Sequence, residues 1–291
     1  MPKTSTPGTT SSGHRREGKV LLDAFQNRLV YTGALVCQSA LRIGAGRSSE
    51  PIGTDLPVIK DAQGQPFIPG SSLKGVLRAR VEAFVRAIHN TRQAACNPVG
   101  NDTEWCLSSI EDLSDQAIDE QSCLVCQVFG SPWLASKVQV RDAQVGQFWF
   151  DQYQVRDGVA INRDTQTAEA GLKYDYEVVP AQTRFDFMLV AENLTAAQIG
   201  MLFVGLRPFE HGEIGLGGFR SRGLGTVQLQ WQERKFFVVN GDPERLFRFL
   251  AGEDSPEVWQ MFSEDTIGRT YLAAFRQQLR DFPRNGGAGH A

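Results

Sequence analysis

The chain has 291 residues and a mass of 32.2 kDa, enough for one large domain or two of ordinary size. Hydrophobic residues make up 41% and charged residues 22%, which excludes a collagen-like, wholly disordered or coiled-coil chain. Lys and Arg total 30 against 33 Asp and Glu, so the net charge of −3 does not by itself indicate a nucleic-acid binder, and any basic surface requires local segregation of charge.

Neither a membrane segment nor a secretory signal is visible in the sequence. No apolar run reaches the roughly 18 residues of a membrane span, and the start of the chain lacks the apolar stretch of a signal peptide. The sequence therefore predicts a soluble, cytoplasmic protein without a membrane partner. Five cysteines are an odd number for a protein without secretory context, so metal binding or simple burial is favoured over a disulfide framework.

The first predicted elements are a tail, a strand and a loop. Residues 1–19 are rich in Thr, Ser, Gly and Pro and predict a flexible tail. Residues 28–43 nearly alternate between apolar and polar side chains, which predicts a long strand. Four residues are available to one face of this strand: Leu29, Tyr31, Leu35 and Cys37. Residues 44–70 hold too many Gly and Pro for a helix and predict a long loop with a short strand at 58–59.

A strong helix follows, with Ser71 or Ser72 as its predicted cap. Its apolar positions recur at helical spacing and form one stripe: Leu73, Val76, Leu77, Val81, Phe84, Val85 and Ile88. The other face carries four cations: Lys74, Arg78, Arg80 and Arg86. Residues 97–125 then contain seven acids and no Lys or Arg, so charge is segregated although the total is nearly neutral.

The second half of the chain alternates strand and helix patterns. Strands are predicted at residues 138–145, 147–155, 184–190 and 225–231. The polar stretch before the third of these strands is an excursion from the sheet. A helix is predicted to begin at Leu194, with Asn193 or Thr195 as its cap, and to run to about Leu206. Residues 243–282 carry further helical periodicity.

Residues 214–225, IGLGGFRSRGLG, are the most informative segment. Five glycines surround Arg220 and Arg222, and no acid lies among them. Glycines let the backbone approach a ligand closely, and arginines suit phosphate oxygens, so the segment predicts a phosphate-binding loop. The alternative is a tight turn between a helix and a strand, which needs fewer glycines. A dinucleotide-binding fingerprint is excluded because these glycines precede a strand instead of opening a helix.

The segment FIPGSSLKG at residues 67–75 is a second candidate for phosphate binding. Lys74 is predicted to lie in the first turn of the helix, where the free N–H groups attract anions. The positive end of the helix dipole disfavours a cation in this turn, and a bound phosphate would offset that repulsion. The spacing from Gly70 to Gly75 resembles a Walker A loop, but Val76 stands where that motif requires Lys. The alternative is an ordinary serine cap with Lys74 pointing to solvent.

Four cysteines predict a structural metal site. Cys96, Cys106, Cys123 and Cys126 are spaced C-x9-C-x16-C-x2-C, and the last pair is typical of a zinc knuckle. Four thiolates in a reducing cytosol would bind zinc tightly, in a closed and therefore structural site. Two alternatives remain open: His89 in place of Cys96, and four unrelated buried thiols. The fifth cysteine, Cys37, is predicted to be buried in the first strand.

Six short motifs follow one another between residues 28 and 231. They are RIGAG (42–46), IGTDLPVIKD (52–61), FIPGSSLKGVLR (67–78), CxxCxxFG (123–130), VRDA (140–143) and GLGGFRSRGLG (215–225). In this set and order the chain resembles the RAMP superfamily, and specifically the backbone subunits of type III CRISPR effector complexes. The motifs bracket about two thirds of the chain, and several motifs in order are far more specific than one glycine-rich loop.

The resemblance implies an α+β protein with a ferredoxin-like, RRM-related core that binds guide RNA along its backbone, without reading sequence. It implies neighbouring RAMP subunits, a complementary target RNA and a thumb hairpin that interrupts the guide–target duplex. Together with the composition and periodicity of the two ends, which the resemblance does not cover, this divides the chain into three parts: a tail (1–19), a RAMP domain (20–235) with a zinc-stapled, cysteine-rich insertion (96–126) and a thumb (159–180), and a C-terminal helical extension with a flexible end (236–291).

The resemblance also assigns residues to these functions. Asp55 matches the aspartate that cleaves the paired target RNA, either as a general base or as the ligand of a divalent cation such as Mg²⁺. The implied RNA-binding residues are Arg42, Ser71, Ser72, Lys74, Arg78, Gly217, Gly218, Arg220 and Arg222. The implied thumb wedges are Ile161, Leu172 and Tyr174. The alternative is a non-catalytic, structural RNA-binding subunit in which Asp55 caps its loop.

Histidine-based cleavage is a further alternative within the same superfamily. Enzymes that process the precursor of the guide RNA would need a histidine near the phosphate site. His211 is the only candidate by its position before the glycine-rich loop, and its default interpretation is a loop residue.

Overall fold

The computed structural model describes residues 22–47, 53–101, 103–147, 149 and 152–283. The predicted tail at residues 1–19 lies outside them. Within the described ranges, no helix is both long enough and apolar enough to cross a bilayer.

The chain folds as a mixed α/β structure around one antiparallel sheet. Its strands are β1 (Asn27–Cys37), β2 (Phe67–Ile68), β3 (Val138–Val140), β4 (Ala143–Gln144), β5 (Gln154–Gly158), β6 (Tyr174–Val178), β7 (Arg184–Glu192), β8 (Ile214–Gly215), β9 (Thr226–Val238) and β10 (Gln260–Met261). The main sheet has the order β10-β9-β1-β7-β3, and β8 also pairs with β9. Two short ribbons, β2-β4 and β5-β6, complete the strand pairing of the described residues.

The helices pack against this sheet and continue into the C-terminal part of the chain. They are α1 (Gly70–Ile88), α2 (Asp115–Gln121), α3 (Cys126–Phe129), α4 (Ala196–Glu210), α5 (Pro243–Leu250), α6 (Glu264–Thr266) and α7 (Ala273–Asp281), with a 3-10 turn at Arg220–Arg222 and a π-helical turn at Ile267–Leu272. The two long helices pack closely because Gly205 of α4 faces Leu77 and Val81 of α1, and a Cβ at Gly205 would lie 2.7 and 2.6 Å from their side chains.

Strand β1 confirms the predicted core face but ends earlier than predicted. Leu29, Tyr31, Leu35 and Cys37 are fully buried. The strand stops at Cys37 instead of Ile43, because β7 begins opposite Val36 and leaves no continuous partner beyond it. Beyond the strand, Leu41 forms a single bridge to Val179, the residue after β6.

Helix α1 begins at Gly70, so neither Ser71 nor Ser72 is its cap. Its N-cap is Pro69, and the N–H of Gly70 donates to Asp142 Oδ1 at 2.7 Å. Gly70 is required there because a Cβ would lie 2.1 Å from the carbonyl oxygen of Val140. The side chain that accepts from the first N–H of α1 therefore belongs to a residue 72 positions away in the chain.

The apolar stripe of α1 is only partly buried. Leu73, Leu77, Val81 and Val85 are buried, as predicted. Phe84 and Ile88 are 36% and 59% exposed, which contradicts the prediction that they belong to the core face. Phe84 lines an open cavity together with Phe203 and Val204 of α4, so no side chain covers this side of the helix completely.

Helix α4 is capped by Thr195, one of the two predicted candidates. Its hydroxyl accepts from Gln198 N, and the Gln198 side chain accepts from Thr195 N, which forms a capping box. The helix continues to Glu210 instead of ending near Leu206, and it includes Pro208 in its last turn. His211 is its C-cap.

The remaining strands differ from prediction in length and position. The strand predicted at 147–155 begins only at Gln154, and the predicted strand 138–145 is divided into β3 and β4. Strand β9 runs to Val238, so the predicted domain boundary at 235 falls inside a strand. The C-terminal extension is not purely helical, because β10 pairs with Phe236 and Lys235 at the edge of the sheet.

Candidate functional site

The glycine-rich loop between α4 and β9 lies directly on the segment that follows β1. Gly217 has a φ of +72°, and a Cβ there would lie 2.0 Å from the carbonyl oxygen of Arg42. The N–H of Gly218 donates to the same oxygen at 2.9 Å. The glycines thus allow two backbone segments to meet at a distance that no side chain permits.

Phe219 lies between two arginines at the turn of this loop. The guanidinium carbons of Arg42 and Arg222 are 5.0 and 4.9 Å from the centre of its ring, within cation–π distance. Arg42 is only 8% exposed, and this burial lowers its pKa. Arg220 and Arg222 are exposed on the 3-10 turn. The loop therefore presents two accessible guanidinium groups above a third one that is buried.

Two tyrosines of β6 complete this group, which we call the arginine–aromatic cluster (Arg42, Tyr174, Tyr176, Phe219 and Arg222). The rings of Tyr176 and Phe219 are 4.8 Å apart. Arg222 Nη1 donates to the hydroxyl of Tyr174. The cluster brings together three segments that are far apart in the sequence.

Tyr174 begins β6 and pairs with Gly158, where the β5-β6 ribbon meets the loop that joins the two strands. It is half-buried, and its ring covers Gly158 on the paired strand. Ile161 and Leu172 lie beyond the paired strands and are 48% and 53% exposed. Exposed apolar side chains at these two positions are compatible with wedges, whereas Tyr174 is held by its neighbours.

Asp55 lies in a loop that is tied to β6 next to this cluster. The N–H of Asp175 donates to Asp55 Oδ2 at 3.1 Å, and the N–H of Asp55 donates to Asp175 Oδ1 at 2.6 Å. Glu177 holds the same loop by accepting from Val58 N at 3.0 Å and from Lys60 Nζ at 2.9 Å. Asp55 is therefore fixed beside Asp175, which directly follows Tyr174 of the arginine–aromatic cluster.

Asp175 and Phe219 are members of the site that sequence reasoning missed. Asp175 sits between the two tyrosines in the segment YDYE, and its partner Asp55 is 120 residues away. Phe219 stands within the glycine-rich loop but carries no charge. In the sequence, the one indication that either residue belongs to the site is that it lies next to residues that were predicted to be functional.

The start of α1 is a separate group, in contact with residues 136–142. Lys74 Nζ donates to Ser136 Oγ at 2.7 Å, and burial, followed by the charge of Arg78, lowers the pKa of Lys74. Ser71 is exposed and Ser72 half-buried. The carboxylate of Asp142 already accepts from the first N–H of the helix, so this helix start is less attractive to a phosphate than predicted.

Arg78 points into the protein, which contradicts its assignment to the RNA-binding surface. Nε donates to Glu82 Oε1 at 2.8 Å, Nη1 to the carbonyl oxygen of Gly130 at 2.9 Å and Nη2 to Cys126 Sγ at 3.2 Å. Each nitrogen of the guanidinium group thus has an internal partner.

Cys96, Cys106, Cys123 and Cys126 come together as predicted, with their sulfurs within 4.8 Å of one another. A tetrahedral metal–thiolate site has metal–sulfur distances of about 2.3 Å, so four sulfurs this close fit a common ion. The N–H of Cys126 donates to Cys123 Sγ at 3.4 Å, as in a knuckle. Hydrogen bonding with Cys123 lowers the pKa of Cys106 well below its usual range.

The other candidates for this cluster lie elsewhere. His89 is buried against the carbonyl oxygen of Leu279 and the ring of Phe282, so it does not replace Cys96. Cys37 is buried in β1, where burial raises its pKa to about 12. Among the described residues, the donor set available to a metal ion at this place is therefore the four cysteines.

Gly217→Ala tests the close approach within the glycine-rich loop. We expect it to lower the free energy of unfolding by about 2–4 kcal/mol, because alanine is strained in a left-handed backbone and also meets the carbonyl of Arg42. Gly223→Ala is the matched control, since Gly223 has a φ of +83° but open space around its Cβ position. It should cost only about 1 kcal/mol. Equal urea-denaturation midpoints for the two variants would contradict the contact.

Comparison with known proteins extends these observations. The family model "RAMP superfamily" matches residues 34–228, from β1 to β9. The chain is 26% identical over 262 residues to the CRISPR system Cms endoribonuclease Csm3 of Methanothermobacter thermautotrophicus, covering 79% of this chain and 93% of the relative. It is 26% identical over 219 residues to the protein of the same name from Methanocaldococcus jannaschii, covering 71% and 80%. The family match covers most of the chain, and the motifs, including the glycine-rich loop, follow one another along it in the expected order. The chain therefore belongs to the RAMP superfamily.

Proposed function

We propose that the chain is a guide-RNA-binding backbone subunit of a type III CRISPR effector complex and that it cleaves complementary target RNA. Its partners are the CRISPR guide RNA, the target RNA and neighbouring RAMP subunits, in the cytoplasm. The similarity to two proteins named Csm3 endoribonucleases supports the proposal. The observation that carries it is that Asp55 binds Asp175, whose neighbour Tyr174 accepts a hydrogen bond from the exposed Arg222 of the glycine-rich loop.

The RAMP domain has a ferredoxin-like core in this proposal. The succession β1, α1, β3, β7, α4 and β9, with the sheet order β9-β1-β7-β3, supports this assignment. The β5-β6 hairpin and the residues between its strands form the thumb, and the cysteine-rich insertion at 96–126 is held by a structural zinc ion. Four thiolates at a closed site are the donor set that zinc prefers.

Guide RNA is bound by the surface around the arginine–aromatic cluster. Arg220 and Arg222 supply charge-assisted hydrogen bonds to phosphate oxygens, while Gly217 and Gly218 hold the loop against the backbone of Arg42. Arg42 supports the loop from beneath through Phe219 and adds positive potential. Contacts of this kind hold the backbone and do not read bases, which suits a subunit that accepts any guide sequence.

Cleavage proceeds by transesterification in this proposal. The 2′-hydroxyl of the target attacks the adjacent phosphate, a 2′,3′-cyclic phosphate forms as the bond to the 5′-oxygen of the next nucleotide breaks, and the departing oxygen takes a proton from water. Asp55 removes the proton of the 2′-hydroxyl; alternatively, Asp55 and Asp175 would hold a divalent cation such as Mg²⁺, which would supply stabilisation of the developing negative charge. The thumb, with Ile161 and Leu172 at its exposed end, separates the flanking nucleotides so that the linkage reaches the in-line geometry.

A structural subunit without nuclease activity is the second candidate. The specific observation in its favour is that Asp55 Oδ2 already accepts a hydrogen bond from Asp175 N. A carboxylate that only caps a loop would make the same contact. The two functions differ in whether the complex cuts its target at this subunit.

Arg222→Ala tests the RNA-binding role of the loop. We expect weaker binding of guide RNA, to an equal extent for unrelated sequences, and a salt dependence of log affinity that is shallower by about 0.7 per phosphate that the variant no longer neutralises. Filter binding at several salt concentrations measures both effects. Arg276→Ala, at an exposed arginine on α7, is the matched control and should bind like the unchanged protein. Weaker binding of one guide sequence alone would refute backbone recognition.

A further inference from the structure

A chain of charges centred on a buried carboxylate runs along one side of α1. Glu82 is 7% exposed and lies one turn from an arginine on each side. Its Oε1 accepts from Arg78 Nε at 2.8 Å, and its Oε2 is 3.3 Å from Arg86 Nη2. A buried carboxylate is stable only when its charge is paired and its oxygens are hydrogen-bonded. The three residues therefore form one unit, which we call the α1 ion triad (Arg78, Glu82 and Arg86).

Each arginine of the triad also holds one of the segments that carry the cysteines. Arg78 binds the CxxC segment through the carbonyl oxygen of Gly130 at 2.9 Å and through Cys126 Sγ at 3.2 Å. Arg86 binds the first cysteine segment through the carbonyl oxygen of Ala95 at 3.1 Å and that of Cys96. Cys96 Sγ and Cys126 Sγ, one from each segment, are 3.5 Å apart.

We propose that the α1 ion triad positions the cysteine quartet and tunes its affinity for metal. Arg86 sets the backbone of Cys96, Arg78 sets Cys126, and Glu82 fixes the spacing between the two guanidinium groups. This inference rests on the proposed zinc site and adds to it three residues that are not ligands.

Arg78 acts on the cysteine quartet through its positive charge as well as through its packing contacts. Four thiolates around a divalent ion leave a net charge of −2, which is unfavourable in a partly buried site. A charge-assisted N–H donated to Cys126 Sγ offsets part of that charge and orients the sulfur. Removing an outer partner of a metal ligand typically changes metal affinity about 10- to 100-fold. Arg78 has the geometry of such a partner.

The triad also explains why the basic helix and the cysteine-rich insertion belong together. Arg78 follows Lys74 by one turn, and Lys74 contacts Ser136 on the segment after the CxxC. The zinc ion would therefore hold the insertion against α1 through the triad, so loss of metal should loosen the first turns of α1 as well.

The test compares metal release from full-length variants. Arg78→Gln removes the charge and cannot supply all three hydrogen bonds of the arginine, and Arg78→Lys keeps the charge but also cannot supply all three. Arg80→Gln removes an exposed arginine from the same helix and is the matched control. Zinc content is measured by elemental analysis, release by a chromogenic chelator, and ligand geometry by the thiolate-to-metal charge-transfer band of the cobalt-substituted protein.

We expect Arg78→Gln to release zinc about 10- to 100-fold faster than Arg80→Gln and to shift the cobalt band, with Arg78→Lys between them. If Arg78→Gln is insoluble, the release rate and band of Arg78→Lys decide the question. Zinc at full content with unchanged release and band in the Arg78 variants would overturn the positioning role and leave the zinc site intact. Unchanged protein without zinc would overturn the metal site itself, and the positioning role with it.

Discussion

Cys126→Ser is expected to remove stoichiometric zinc and to lower the melting temperature by on the order of 10 °C. Structural zinc binding is folding free energy, worth about 10–16 kcal/mol in small zinc peptides, so losing even a few kcal/mol of it has this effect. Cys126 is the most sensitive position, because its sulfur also accepts from Arg78 and packs against Cys96. Cys123→Ser should behave similarly. Elemental analysis and thermal melting of the purified chain measure the two quantities.

Cys37→Ser is the control that separates metal loss from general destabilisation. Cys37 is also buried, so a serine there leaves a hydroxyl in the sheet core and should cost about 1–3 kcal/mol. It should nevertheless retain all of the zinc, since Cys37 lies outside the quartet. The zinc assignment fails if the unchanged protein, purified without chelator, contains no zinc, or if Cys126→Ser retains it.

Asp55→Asn is expected to reduce target cleavage by about 10²- to 10⁴-fold while guide content and target affinity stay the same. Asparagine keeps a side-chain oxygen that can accept from Asp175 N, so the loop should remain in place, but it cannot take a proton and is a poor ligand for Mg²⁺. Asp55→Ala should lose cleavage too, with a small additional loss of stability. The measurement is gel analysis of labelled target RNA cut by the reconstituted complex.

Asp61→Asn is the matched control for this experiment. Asp61 lies in the same loop, and its carboxylate accepts from Gln63 N and Gln65 N, both at 2.9 Å. These hydrogen bonds give it a capping role within its own turn, so cleavage should persist. A target with a 2′-deoxy sugar at the cut site should resist the unchanged complex. Cutting by Asp55→Asn at the unchanged position would assign the chemistry to another residue and favour the structural function.

Local patterns in the sequence were sufficient for several parts of this protein. Alternation predicted the buried face of β1, and helical spacing predicted the buried part of α1. The cysteine spacing predicted the quartet, because four thiols within one insertion have few other uses. The five glycines predicted a loop that comes close to another backbone, although they did not indicate that this backbone is that of Arg42.

Other features depended on contacts between distant segments, which a pattern within one segment does not contain. The cap of α1 comes from Asp142, and Asp55 is paired with Asp175. Tyr174 is held by Arg222, which lies 48 residues away.

Two arginines on the same helix illustrate this dependence, because the sequence placed both on one basic face. Arg80 is exposed, whereas Arg78 turns inward. The difference arises because the carboxylate of Glu82, the carbonyl of Gly130 and the sulfur of Cys126 offer Arg78 three acceptors. Two of those acceptors come from a segment about 50 residues away, so no pattern within the helix could reveal them.

The segments that carry chemistry could thus be identified from local patterns, because the types of residue that bind phosphate, metal or protons are few and their spacing is local. Which of those side chains share a site could be learned only from the folded protein. Sharing a site depends on burial and on the pairing of each charge and hydrogen-bond donor with a partner from elsewhere in the chain, and such pairs form only once the sheet has brought the segments together.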